Sequence, residues 1–202
     1  MGPSIAVVDY GIGNLRSAEK GFVKVGADAR LVTAAAQIEA ADGVVLPGVG
    51  NFGRCGEALV ASGLWPATLA AARSGKPFLG ICVGMQLLYE KSYESPGVPG
   101  LGIFPGAVAL LPDGVRRPQM QWNVLDVRAG TRLLAGFEEG AWAYFVHSYA
   151  PPIGAETVAT CDYGGPVAAA VEDGCVWAAQ FHPEKSSSVG LGILANFVKA
   201  CR

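Results

Sequence analysis

Lys76-Pro-Phe-Leu-Gly80-Ile-Cys82-Val-Gly84-Met-Gln86-Leu-Leu-Tyr-Glu90 is the stretch on which the fold turns. Pro77 to Ile81 reads as a buried strand and Val83 to about Glu90 as a helix, with Cys82 alone at the corner. Glycine on either side, in the pattern G-x-C-x-G, lets a residue occupy a sharp strand-to-helix turn where bulkier neighbours would clash. A thiol at a helix N-terminus meets the positive end of the helix dipole, which favours the thiolate. Taken alone, the stretch leaves two readings: a nucleophile on a strained elbow, or a small buried hydrophobe, the usual fate of a free cysteine.

Before this stretch the chain alternates strand and helix. Ile5 to Asp9 reads as a strand and Leu15 to Val25 as a helix with Gly26 as its cap. Ala29 to Thr33 is a strand, Ala34 to Ala41 a short helix, Gly43 to Pro47 a strand, and Phe52 to Ser62 and Pro66 to Ser74 are helices. Continuous apolar strands alternating with helices predict a parallel sheet covered on both faces. Beyond residue 100 the pattern shortens. Gly102 to Leu111, Trp122 to Val127, Trp142 to Ser148, Glu156 to Cys161, Pro166 to Glu172 and Cys175 to Phe181 read as strands, with turn residues such as Gly164-Gly-Pro166 and Glu172-Asp-Gly174 between them. These predict antiparallel hairpins. A last helix runs from Val189 to about Ala200, with Ser186 to Ser188 as N-cap candidates. The expectation is a single domain, residues 1–202, with a mixed sheet.

Composition narrows the function. Of 202 residues, 51% are apolar and 16% charged, which argues for extensive burial and an apolar patch left for a partner. The net charge of −2 and the lack of any basic block give nucleic-acid binding no electrostatic support. The five cysteines are odd in number and widely spaced, so neither a disulfide framework nor a zinc site is expected. No signal peptide and no run of the ~20 apolar residues a membrane span needs can be read, which predicts a soluble cytoplasmic chain.

Gly48-Val-Gly50-Asn-Phe-Gly53 follows a strand and matches the dinucleotide-binding signature, but residues 68–74 lack the acid that signature expects. A glycine turn has another use, since its backbone N–H groups can point at an anion. Of the two histidines, His182 lies in Gln180-Phe-His182-Pro-Glu184-Lys185-Ser186. His182 and Glu184 are two apart just past a strand, so both can point to one side, with Pro183 stiffening the geometry. A thiol nucleophile needs an imidazole base and a group that orients it.

G-x-C-x-G with His182-Pro-Glu184 resembles the class I (triad-type) glutamine amidotransferases. Pro47 to Phe52, Pro118 to Asn123, Tyr144 to Tyr149 and Gln180 to Ser186 resemble, more narrowly, the glutaminase subunits of imidazole glycerol phosphate synthases. The resemblance runs from Asp9 to the last helix. It departs at Gln119-Met120-Gln121, where the family commonly has His-Met-Gly, and near Ala178, often glycine in the family.

The resemblance implies a three-layer α/β/α sandwich around a mixed, largely parallel sheet with a flavodoxin-like core. It implies glutamine hydrolysis with no cofactor and no metal: Cys82 as nucleophile, His182 as base, Glu184 as orienter, and an oxyanion hole from Val83 and the Val49–Gly50 turn. Gln86, Glu94, Ser148 and Tyr149 would bind glutamine. Asn14, Trp122, Tyr144 and Lys185 would face or gate a partner, a (β/α)8-barrel cyclase subunit that receives the ammonia in histidine biosynthesis. His147 would be structural or interfacial. The alternatives are a glutaminase for another acceptor synthase, an amide hydrolase on a similar elbow, and a non-catalytic scaffold.

Overall fold

The computed structural model describes residues 2–138 and 140–202. In chain order the elements are Ser4–Val8 (β1), Leu15–Lys24 (α1), Asp28–Val32 (β2), Ala35–Ala40 (α2), Gly43–Gly48 (β3), Phe52–Ala61 (α3), Trp65–Arg73 (α4), Phe78–Cys82 (β4) and Val83–Gln86 (α5). There follow Tyr89–Ser92 (β5), Phe104–Leu110 (β6), Gln119–Val124 (β7), Asp126–Val127 (β8), Trp142–His147 (β9), Tyr149–Ala150 (β10), Thr157–Asp162 (β11), Pro166–Asp173 (β12), Val176–Ala179 (β13), a 3-10 turn at Pro183–Lys185, and Ser187–Ala200 (α6).

The main sheet has eight strands in the order β2-β1-β3-β4-β13-β12-β11-β8. Its first five strands are parallel and the remainder antiparallel, so the sheet is mixed as expected. α1 and α6 pack together, with Phe22 and Phe197 meeting edge to face at 5.9 Å. α2 and α4 pair with each other. Right-handed crossovers put α1 on one face and the helices between β2 and β4 on the other, giving three layers. No helix among the described residues is long and apolar enough to cross a membrane.

Topology brings three chain segments to one point. Gly48 at the end of β3 stands beside Cys82 at the end of β4, and Ala179 at the end of β13 stands beside Ile81. The glycine turn after β3, the cysteine after β4 and the histidine after β13 therefore leave adjacent parallel strands at their carboxyl ends, where open α/β sheets place their ligands.

Three expectations are corrected. The helix after Cys82 is not Val83 to Glu90 but the four residues of α5, because the chain turns at Leu87 and Tyr89–Ser92 joins β6 as a strand. A dipole from so short a helix contributes little to Cys82. The second half is not one set of hairpins: β7 pairs with β9 as a separate ribbon, and β5, β6 and β10 form a small third sheet. Ser186 is the N-cap residue of α6, but its hydroxyl makes no cap bond; it donates to the His182 carbonyl (2.7 Å) and accepts from the Tyr144 N–H (3.0 Å).

The glycines around Cys82 are required by close approach. A Cβ on Gly80 would meet the Gly84 carbonyl oxygen at 2.8 Å, and a Cβ on Gly84 would overlap the Leu46 carbonyl of β3. Neither obstacle is a flexible side-chain end. Gly84→Ala is therefore expected to lower unfolding free energy by about 3 kcal/mol, the upper range for overpacking a core. Urea denaturation checks this, and a loss within 0.5 kcal/mol, as at an ordinary surface site, would mean that the elbow can relax.

Candidate active site

Cys82 has φ 55° and ψ −113°. A non-glycine residue there costs about 1–3 kcal/mol and persists only when its surroundings enforce it. The fold thus supplies the strained elbow that the sequence suggested. Cys82 and His182 are each only 3% exposed.

His182 Nδ1 and Glu184 Oε1 lie 2.8 Å apart, with both side chains buried. That leaves Nε2 for the cysteine. Burial opposes a charge on His182, yet its contacts with Cys82 and Glu184 outweigh burial and hold its pKa well above the ordinary histidine value. The backbone around the histidine is fixed from β9. The His182 N–H donates to the Tyr144 carbonyl (3.0 Å), Ser186 closes the ring of bonds, and Phe181 meets Phe145 edge to face at 5.7 Å.

The turn after β3 is held from beneath. The Tyr10 hydroxyl donates to the Pro47 carbonyl (2.6 Å) and the Cys55 thiol to the Val49 carbonyl (3.3 Å). Burial pushes both groups' pKa values up, so they remain neutral donors. C=O and N–H are antiparallel across a trans peptide, so the Gly50 N–H points away from Cys55. Gly50 has φ +85°, which suits glycine. Val83, first residue of α5, leaves its N–H among the donors without an intrahelical partner.

The residues expected to bind glutamine are close but partly engaged. Gln86 is buried rather than on a helix surface, and its Nε2 donates to the Tyr149 carbonyl (2.9 Å) and to Gln180 Oε1 (3.0 Å). Glu94 Oε2 accepts from the Phe52 N–H at the start of α3 (2.7 Å). The Ser148 carbonyl accepts from the Leu111 N–H, so the carbonyls of both Ser148 and Tyr149 serve the fold, leaving their N–H groups as the backbone they can offer glutamine.

On the β7–β9 ribbon, Met120 pairs with Val146, Trp122 with Tyr144 and Val124 with Trp142, so these six share one face. Met120, Trp122, Val124 and Trp142 are exposed, and the Trp122 and Tyr144 rings lie 5.9 Å apart. Asn14 opens α1, which packs on the Pro183–Lys185 turn where Lys185 is exposed. The departures at Gln119 and Gln121 fall on the opposite face of the ribbon, and Gln119 is buried.

Sequence reasoning gave no role to Gln180, Tyr10 or Cys55, and read Ser186 only as a helix-cap candidate. Gln180 was accessible to it: two residues before His182 and just past β13, it shares the side His182 occupies. His147 is an internal group. Its Nδ1 faces the Tyr149 carbonyl (2.9 Å) and its Nε2 the Gln119 side-chain amide (2.8 Å). Burial pushes its pKa down to about 4, the Tyr149 carbonyl opposing and His182 adding to the fall.

The chain belongs to the class I glutamine amidotransferase family, whose description, "Glutamine amidotransferase class-I", matches residues 6–201. Among curated relatives it is 50% identical over 200 residues to the imidazole glycerol phosphate synthase subunit HisH of Methanothermobacter thermautotrophicus, covering 98% of this chain and 99% of that one. It is 46% identical over 199 residues to the HisH subunit of Deinococcus radiodurans, covering 96% and 93%. Among solved structures, one described as a glutamine amidotransferase superposes with a TM-score of 0.76 at 20% identity, covering 97% and 98%. PurLQS from Thermotoga maritima superposes at 0.73 and 21% identity, covering 100% and 98%. These two share the fold.

The depressed pKa of His147 makes stability depend on pH. The unfolded chain takes up a proton at the ordinary value of 6.5 and the folded chain only near 4. Stability from this group is complete above pH 6.5 and falls as pH drops through 4, by about 3 kcal/mol in all. Urea unfolding of the parent and His147→Gln between pH 7 and 4 is expected to show the difference between them shrinking; a constant difference would contradict a neutral buried His147.

Proposed function

We propose that this chain is the glutaminase subunit of an imidazole glycerol phosphate synthase, acting in the cytoplasm through Cys82, His182 and Glu184. The observation that carries the reading is Cys82, strained at its elbow, facing a buried His182 that Glu184 holds by Nδ1. The family membership and the HisH relatives support it.

The chemistry follows from the positions. Cys82 Sγ passes its proton to His182 Nε2 and attacks the side-chain amide carbon of glutamine. The carbonyl oxygen becomes an oxyanion, for which the Val83 and Gly50 N–H groups are the candidate donors, each worth about 3 kcal/mol in such a role. The tetrahedral intermediate expels ammonia, which takes the proton from His182, and a thioester to Cys82 remains. Water then attacks the thioester with His182 as base, and glutamate leaves as the thiol is restored. Glu184 keeps the imidazole in the tautomer that bonds through Nδ1.

Ammonia must remain unprotonated to act as a nucleophile, which calls for a dry path to the acceptor. The apolar face of the β7–β9 ribbon supports a docked partner, the (β/α)8-barrel cyclase subunit. It lies on the strand whose Val146 carbonyl stands 4.0 Å from Cys82 Sγ. Trp122, Tyr144, Asn14 and Lys185 are the residues assigned to that interface. A nearly closed site also fits a subunit that opens to glutamine when its partner binds.

Cys82→Ala is expected to lower glutamine-dependent synthesis by the complex by at least about a thousandfold, a typical cost of removing a nucleophile. Synthesis from added ammonia should persist. Glutamine turnover retained in Cys82→Ala would remove the nucleophile assignment, and equal turnover by the lone chain and the complex would remove the dependence on the partner.

A further inference from the structure

We propose that Gln180 is a further catalytic residue of this site: its side-chain amide donates a hydrogen bond to the Cys82 sulfur and holds it as the attacking thiolate. The inference rests on the reading of Cys82 as the nucleophile. Gln180 is fully buried, and its Nε2 lies 3.8 Å from Cys82 Sγ, within reach of so large an acceptor.

Which end of the amide faces the sulfur is decided by its neighbours, since oxygen and nitrogen look alike by shape. The chain of bonds begins at a group with no choice. The Tyr149 carbonyl can only accept, so the Gln86 group at 2.9 Å from it is the NH2. That NH2 lies 3.0 Å from Gln180, so the Gln180 atom there must be the oxygen. The Gln180 NH2 is then left facing Cys82. Reversing Gln180 would set NH2 against NH2 in a site without exposure to water.

The surroundings of the sulfur differ for its two forms. The Val146 carbonyl, 4.0 Å from Sγ, is an acceptor for the protonated thiol and offers nothing to a thiolate. The donors that suit a thiolate are the His182 imidazolium and the Gln180 NH2. The other titratable groups near Cys82 are Glu184, behind His182, and Tyr10 and Cys55, which burial keeps neutral. His182 must release its proton to ammonia during the reaction, whereas an amide keeps its N–H bonds throughout. Gln180 is therefore the side-chain donor present at every stage, including the interval after ammonia has taken the His182 proton and before the attacking water returns one.

The test is the alkylation rate of Cys82 by iodoacetamide, followed by peptide-mapped mass spectrometry on the full chain, with Cys175 as internal reference. Gln180→Met keeps the length and removes the donor. It is expected to slow Cys82 alkylation at pH 7 about tenfold, with Cys175 unchanged. Should that variant fold poorly, Gln180→Glu has the same shape and still accepts from Gln86. At pH 8 it turns an oxygen on the sulfur and should slow alkylation at least as much. Cys82 reacting at the parent rate in either folded variant overturns the proposal. Cys82→Ala separates the two levels: if it retains glutamine turnover, the underlying reading fails, and if it is inactive while the Gln180 variants react like the parent, only the role of Gln180 fails.

Discussion

The backbone of Gly84 lies so close to the Leu46 carbonyl of β3 that no Cβ fits between them. This contact forces the chain to turn at once after β4, and Cys82 takes the strain as a positive φ. A residue with a side chain at 84 would push α5 outward and relax the elbow. The same contact keeps the ends of β3 and β4 together, so the Gly48–Gly50 turn stands beside the cysteine.

The histidine arrives by topology. Cys82 and His182 are 100 residues apart, and what joins them is the parallel pairing of β4 with β13. Ribbon β7–β9 then fixes the histidine from the other side, through Tyr144, Ser186 and the Phe145–Phe181 contact. One strand, β9, thus touches Cys82 through Val146, holds His182 through Tyr144 and carries half of the exposed apolar face. A partner seated on that face would press on the strand that sets both side chains.

The parallel half of the sheet was legible in the sequence because its strands are continuous apolar runs ending in glycine turns. The elbow was legible in the glycines of G-x-C-x-G, and the pairing of His182 with Glu184 in their spacing. The short α5 was not, because Leu87 to Glu90 carries the apolar residues of a helix, and what ends it is the pairing of Tyr89 with Phe104. The two minor sheets were not either, since strand partners far apart in sequence leave no local mark. A buried amide such as Gln119 could be found only once its partners were in place, because an isolated glutamine reads as surface, whereas Gln180 carried a signal in its two-residue spacing from His182.

The most direct measurement is a mass-spectrometric map of the complex with a cyclase subunit after incubation with a diazoketone analogue of glutamine, which alkylates only a nucleophile that has bound it as substrate. The adduct is expected on Cys82 alone, and on no cysteine once excess glutamine competes. An adduct on Cys55, Cys161, Cys175 or Cys201, or labelling of Cys82 that glutamine does not suppress, would contradict the assignment of Cys82 as the glutamine nucleophile.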